Sequence, residues 1–79
     1  VGFAIVMPGD PNNIRSDIGE SVIGKIPAGE WMDITGASKC DENGIRYYPI
    51  SFYNNGNPIE GWTAEGQGSD YWIEPFMPG

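Results

Sequence analysis

Glycine and proline interrupt this chain so often that no long regular element fits between them. Turn signals recur about every 8 to 12 residues, and the stretches between them are short and rich in β-branched and aromatic side chains. With 12 Gly and 7 Pro in 79 residues the chain is poorly suited to helices, while its 3 Trp, 4 Tyr and 3 Phe give it more large apolar anchors than a disordered segment carries. An all-β fold is the expected class.

The runs can be placed one by one. Residues 2–6 form a β-prone stretch that ends at Met7-Pro8-Gly9-Asp10-Pro11-Asn12, where two prolines and a glycine rule out regular structure. Residues 13–20 carry only Ile14 and Ile18 as apolar side chains and read as a loop pinned to the core at intervals. Residues 21–26 read as a strand with Val22 and Gly24 on one side and Ile23 on the other, followed by a turn at Ala28-Gly29. In 30–35, Trp31, Asp33 and Thr35 alternate with Met32 and Ile34; this period of two sends Met32 and Ile34 inward and Trp31 outward.

Asp41-Glu42-Asn43-Gly44 is a turn, because Asn-Gly readily supplies the positive φ angles of tight turns. Residues 45–53 make the strongest strand, whose more apolar face is Arg46, Tyr48, Ile50 and Phe52; Pro49 lacks an N–H and requires a free side or a bulge. After the loop Asn54-Asn55-Gly56-Asn57-Pro58, residues 59–64 pair back on 45–53 as the main hairpin. A polar connector and a last strand, 71–74, stopped by Pro75, complete the chain. About five or six short strands in one small domain favour a barrel, because closure removes exposed edges. One domain over residues 1–79 suffices.

Composition narrows the function. A formal charge of −7, from 11 acidic and 4 basic residues, disfavours nucleic acid, which is held mainly by Lys and Arg on phosphate, and disfavours an anionic membrane for the same reason. No stretch approaches the roughly 20 apolar residues of a membrane-spanning helix, so no membrane insertion is expected. The lone Cys40 has no internal partner and reads as a small buried apolar residue, the other reading being a cross-link to another chain. Catalysis is poorly supplied: there is no His to act as general base, and Asp41-Glu42 sits in a turn rather than across a cleft. Asp10, Asn12 and Asp17 follow no EF-hand spacing. No enzyme activity, cofactor or metal is expected.

Four short segments carry a further resemblance. They are Asn13-Ile14-Arg15-Ser16; Val22-Ile23-Gly24-Lys25-Ile26 with its turn ending at Gly29; the pair Tyr47-Tyr48 after Gly44; and Gly61-Trp62 before the last strand. In that order and spacing the chain resembles the bacterial SH3-like domain, a small barrel found as an accessory module on secreted or cell-envelope proteins. Thr63-Ala64-Glu65-Gly66 and Tyr71-Trp72-Ile73-Glu74-Pro75 are similar to a variant common in large modular surface proteins. Two features depart from the pattern: Asp17-Ile18-Gly19-Glu20 replaces a Pro- or Gly/Ser-rich segment, and Tyr47 stands where Trp is frequent. The Asp-Tyr signature of eukaryotic peptide-binding SH3 domains is absent, so proline-rich recognition is not implied.

The resemblance implies an SH3-like barrel of an exported protein, extracellular or in the cell envelope, excised from a longer modular chain. It also implies a shallow groove lined by Tyr47, Trp62 and Tyr71, with Asn13 and Asp17 as a polar rim. Trp62 and Trp72 are alternatively the barrel core, and Arg15 alternatively a structural residue holding loop carbonyls. The expected function is a non-catalytic binding or targeting module for cell-wall glycopeptide or another envelope component. The other reading is a structural module packed against neighbouring domains or copies of itself, with Trp31 in the interface. A recognition module leaves Tyr47 and Tyr71 in an open groove; a structural module covers them with protein.

Overall fold

A long antiparallel hairpin over residues 46–64 forms the spine of the molecule. In the computed structural model, which describes residues 2–77, β6 (Arg46–Asn54) pairs with β7 (Asn57–Ala64) in one antiparallel register from Tyr47↔Ala64 to Asn54↔Asn57. The hairpin closes through Asn55-Gly56 alone, with φ of 54° and 84°. Two successive positive φ angles match the right-handed strand twist, so the reversal needs two residues. Asn57 and Pro58, expected in the loop, therefore belong to β7.

Around this spine stand β1 (Gly2–Val6), β2 (Asn12–Arg15), β3 (Val22–Ile26), β4 (Trp31–Ile34), β5 (Lys39–Cys40), β8 (Gly66–Gln67), β9 (Asp70–Tyr71) and β10 (Ile73–Phe76). The main sheet runs β10-β1-β4-β6-β7-β2-β3, with β5 added to β6, and β8 and β9 form a separate small hairpin. Among the described residues there is no helix, and the fold is all-β. The path is open, because no ladder joins β3 to β10 among the described residues. Its ends nevertheless share one core: Ile73 of β10 and Ile26 of β3 lie in the same buried cluster with Ala4, Val6, Ile14, Met32, Ile34, Tyr48, Ile50 and Phe52. The sheet thus curls strongly enough for its two ends to bury side chains together.

Alternation in β4 and β6 orients the core as anticipated, with Met32, Ile34, Tyr48, Ile50 and Phe52 inward. Pro49 lies where β6 changes partner, between the β4 ladder at Ile50 and Ser51 and the β5 ladder at Arg46 and Tyr47. Its missing N–H costs no ladder bond there, and its carbonyl still accepts Thr35 N–H at 2.9 Å.

Several sequence expectations need correction. Residues 12–15 are a strand, β2, rather than a loop: Asn12 and Ile14 both point inward, and because the first of them is polar the alternation reads as irregular. The short strands β5 and β8 were not anticipated, and the stretch 71–74 expected as one strand is divided at Trp72, with Tyr71 ending β9 and Ile73 opening β10; β5, β8 and β9 are each two residues long. The last strand runs through Pro75, which pairs with Ala4 at the sheet edge, where one face of the ladder is free. Cys40 is exposed, on a two-residue strand that is added to β6 off the main strand path. Neither Trp62 nor Trp72 belongs to the core, which Tyr48 and Phe52 fill together with smaller aliphatic side chains and Met32.

Gly61 shows why a Gly-Trp step is needed in β7. A Cβ there would meet the Arg15 carbonyl oxygen and lie 2.8 Å from Ile14 Cγ2. Only glycine lets β2 approach β7 closely enough for the Arg15↔Trp62 pairing.

Candidate functional site

The site is built on β2, which lies between β7 and β3. Asn12, buried at the start of β2, donates from Nδ2 to Thr63 Oγ1 at 2.5 Å and to the Ala64 carbonyl at 3.0 Å. Thr63 in turn donates its hydroxyl hydrogen to the Asn13 carbonyl at 2.8 Å. This network satisfies two buried polar side chains and clamps β2 to the end of β7. With the clamp in place, the loop before β2 is pinned at its far end, and Met7 N–H donates to the Trp72 carbonyl at 2.8 Å to pin its near end.

Between that loop and the opposite strands lies a groove of about 560 Å³. Met7, Pro8, Asp10 and Pro11 form one wall with Asn13 and Arg15; Ile45, just before β6, and Tyr47 within it, with Tyr71 and Trp72, form the other. Tyr47, on the face of β6 away from the core, is only 8% exposed and contributes the floor, whereas Tyr71 is 62% exposed and stands at the rim.

Each wall is held by backbone chemistry. Asp41 Oδ1 accepts the N–H groups of Asn43 at 2.8 Å and Ile45 at 2.9 Å, and this Asx turn sets Ile45 at the groove. Tyr71 rides on the β8–β9 hairpin, which is tied back because the Glu65 carbonyl accepts Trp72 N–H at 2.8 Å and Ile73 N–H at 3.3 Å. Glu65 itself pairs with Arg46, Nε to Oε1 at 3.8 Å, and takes a long 3.5 Å hydrogen bond from the Tyr48 hydroxyl. Burial first, and the Glu65 charge second, push the Tyr48 phenol above its ordinary value.

Of the five residues anticipated for the groove, the structure brings together Asn13, Tyr47 and Tyr71. Asp17 lies apart in the β2–β3 loop, where its carboxylate accepts Ile18 N–H at 2.7 Å and its carbonyl accepts Glu20 N–H at 3.0 Å. Its side chain serves the turn. Trp62 faces away from the core with Lys39 Nζ 5.5 Å above its ring, on the far side of β7 from Thr63. Arg15 both lines the groove and holds the β2–β3 loop, donating from Nη1 to the Glu20 carbonyl at 2.7 Å.

The sequence places the groove between the long loop that begins at Met7 and the last strands, but does not single out Met7, Pro8, Asp10, Pro11, Ile45 or Trp72 as its lining. The signal for the four loop residues was present, since a proline-rich connector between two β runs is where fixed, exposed side chains collect. Asp10 and Arg15 bring one charge of each sign to a lining that is otherwise neutral. Among the described residues no three His, Cys, Asp or Glu side chains gather closely enough to hold a metal ion. No family model, curated protein or solved structure matches this chain.

Proposed function

We propose that this chain is a bacterial SH3-like barrel acting as a non-catalytic binding module of an exported protein, and that its groove takes a cell-wall glycopeptide or a related envelope component. The observation that carries the reading is the meeting of Asn13, Tyr47 and Tyr71 in one open groove with Arg15 and Asp10. Its volume lies in the range of small-ligand sites, about 300 to 1,000 Å³. The exposed Tyr71 ring suits the C–H faces of sugars and the methyl groups of short peptides, while Asn13 offers an amide to amides. Arg15 and Asp10 supply opposite charges for the carboxylate and amine of a peptide stem. The curl that brings both ends of the sheet into one core supports the barrel reading, as does the Gly61-Trp62 step at the close approach of β2.

Co-sedimentation with purified peptidoglycan tests it. The 79-residue chain is expected to pellet with the wall, and Tyr71→Ala, which removes an exposed side chain, to weaken retention about tenfold, the loss of one aromatic anchor. If neither protein pellets and the chain is dimeric in solution, the groove does not target the wall.

A further inference from the structure

On the outer side of β10, β1 and β4 the side chains form a continuous aromatic row. Phe3 stacks on Phe76 with ring centroids 5.0 Å apart and planes at 19°. It also meets Trp31 edge-on at 5.9 Å and 77°. Registers explain the row: Phe3 is opposite Phe76 across β1–β10, and Trp31 is opposite Ile5 across β1–β4, while Ala4, Val6 and Met32 take the core side. Trp31 is 62% exposed, and Tyr53 shares a shallow depression with it. Scattered exposed aromatics are ordinary, but a contiguous row across three strands is not.

The charged side chains of these three strands have one sign. Asp33 is opposite Phe3, and Glu74 is opposite Ile5, so both carboxylates stand on the aromatic side. None of the four basic residues, Arg15, Lys25, Lys39 and Arg46, lies on β1, β4 or β10. Aromatic faces and carboxylates both attract cations, so the surface is electrostatically complementary to a basic occupant. A second copy of a chain with a net charge of −7 is repelled instead, and so is an anionic lipid surface.

The adjoining edge argues for docking on the face rather than by strand addition. The Trp72 carbonyl points to β1, where it accepts Met7 N–H, so alternation puts Pro75 on the free edge of β10. With no N–H there, that edge is blunted against an added strand.

We propose that the Phe3, Trp31 and Phe76 face, flanked by Asp33 and Glu74, is a docking surface for a partner protein segment that presents Lys or Arg among apolar side chains. It is separate from the groove, with which these five residues share no lining, and it stands or falls independently of the wall-binding function.

The probe is a short synthetic peptide alternating lysine and valine, titrated into the 79-residue chain by calorimetry and by NMR shift mapping, with a glutamate–valine peptide as its counterpart. Shifts are expected at Phe3, Trp31 and Phe76 and not at Tyr71, with no binding of the glutamate peptide. Trp31→Ala is expected to weaken binding about tenfold, and so is Asp33→Asn combined with Glu74→Gln. Glu20→Gln combined with Glu42→Gln changes the net charge equally but elsewhere, and is expected to leave affinity within about twofold. All four positions are exposed, so these variants keep the fold. Equal weakening by both charge pairs, shifts confined to the groove, or full affinity in Trp31→Ala would each overturn the proposal. A dimer abolished by Trp31→Ala would assign the face to a second copy, and Trp31-dependent binding to phosphatidylcholine vesicles would assign it to lipid; either result overturns it too.

Discussion

Tyr47 and Tyr48 are adjacent in the chain and both buried, yet they belong to opposite faces of β6 and to different parts of the molecule. Tyr48 joins the core, and its hydroxyl reaches Glu65. Because burial and the Glu65 carboxylate raise the Tyr48 phenol above its ordinary value of 10.0, the folded state favours the neutral form. The sign follows from linkage: this contribution to stability is complete below pH 10 and is lost as pH rises through the raised value of the folded protein. Denaturant midpoints measured across alkaline pH are expected to fall, and Tyr48→Phe to flatten that fall. A Phe variant whose midpoint drops as steeply as the parent would remove Tyr48 from the account. Tyr47, by contrast, faces away from the core and serves the groove as its floor. Alternation separates the two faces in the sequence, but it cannot say that the second face is covered at Tyr47 and open at Tyr53.

At the scale of the element, β2 decides whether the groove has a wall. It pairs with β3 through a register shift between Ile14 and Arg15, and meets β7 at Arg15↔Trp62. The Asn12 and Thr63 hydrogen bonds then fix its first residues. Asn12→Ala leaves the Thr63 hydroxyl without its donor inside the fold, at a cost of about 1–3 kcal/mol. Faster hydrogen exchange is expected at the β2 amides, with the β6–β7 hairpin amides unchanged, because only the clamp has been lost. Uniform acceleration over both elements would show the network to be part of the global core. Strands β1, β3, β4, β6 and β7 were legible from alternation and turn residues to within a few positions. Strand β2 was not, because its inward Asn12 is acceptable only once Thr63 arrives from 51 residues away.

For the whole molecule, the decisive property is one core fed from both ends of an open strand path. Ile73 of β10 and Ile26 of β3 are both almost fully buried although they sit at opposite ends of that path. Ile73→Ala is expected to cost about 2–5 kcal/mol and to lower hydrogen-exchange protection in β2 and β3 as well as in β1. Protection lost only in β1 would mean that the ends of the sheet fold as separate units. The same curl leaves the convex side of β10, β1 and β4 uncovered, which is where Phe3, Trp31 and Phe76 meet.

Taken alone, the sequence determined what local chemistry can specify. It set a reversal within 54–58, the Asp41–Gly44 turn, the inward sides of β4 and β6 and the outward direction of Trp31, since positive φ and a period of two are written in neighbouring residues. The tertiary structure decided which of the aromatics and polar residues share a surface. It brought Asn13, Tyr47 and Tyr71 to one groove, sent Asp17 to a turn and Trp62 beneath Lys39, and gathered three rings from three strands onto one face. The reason is physical: these placements depend on non-local strand pairing and on the curl of the sheet, which no short stretch of the chain encodes.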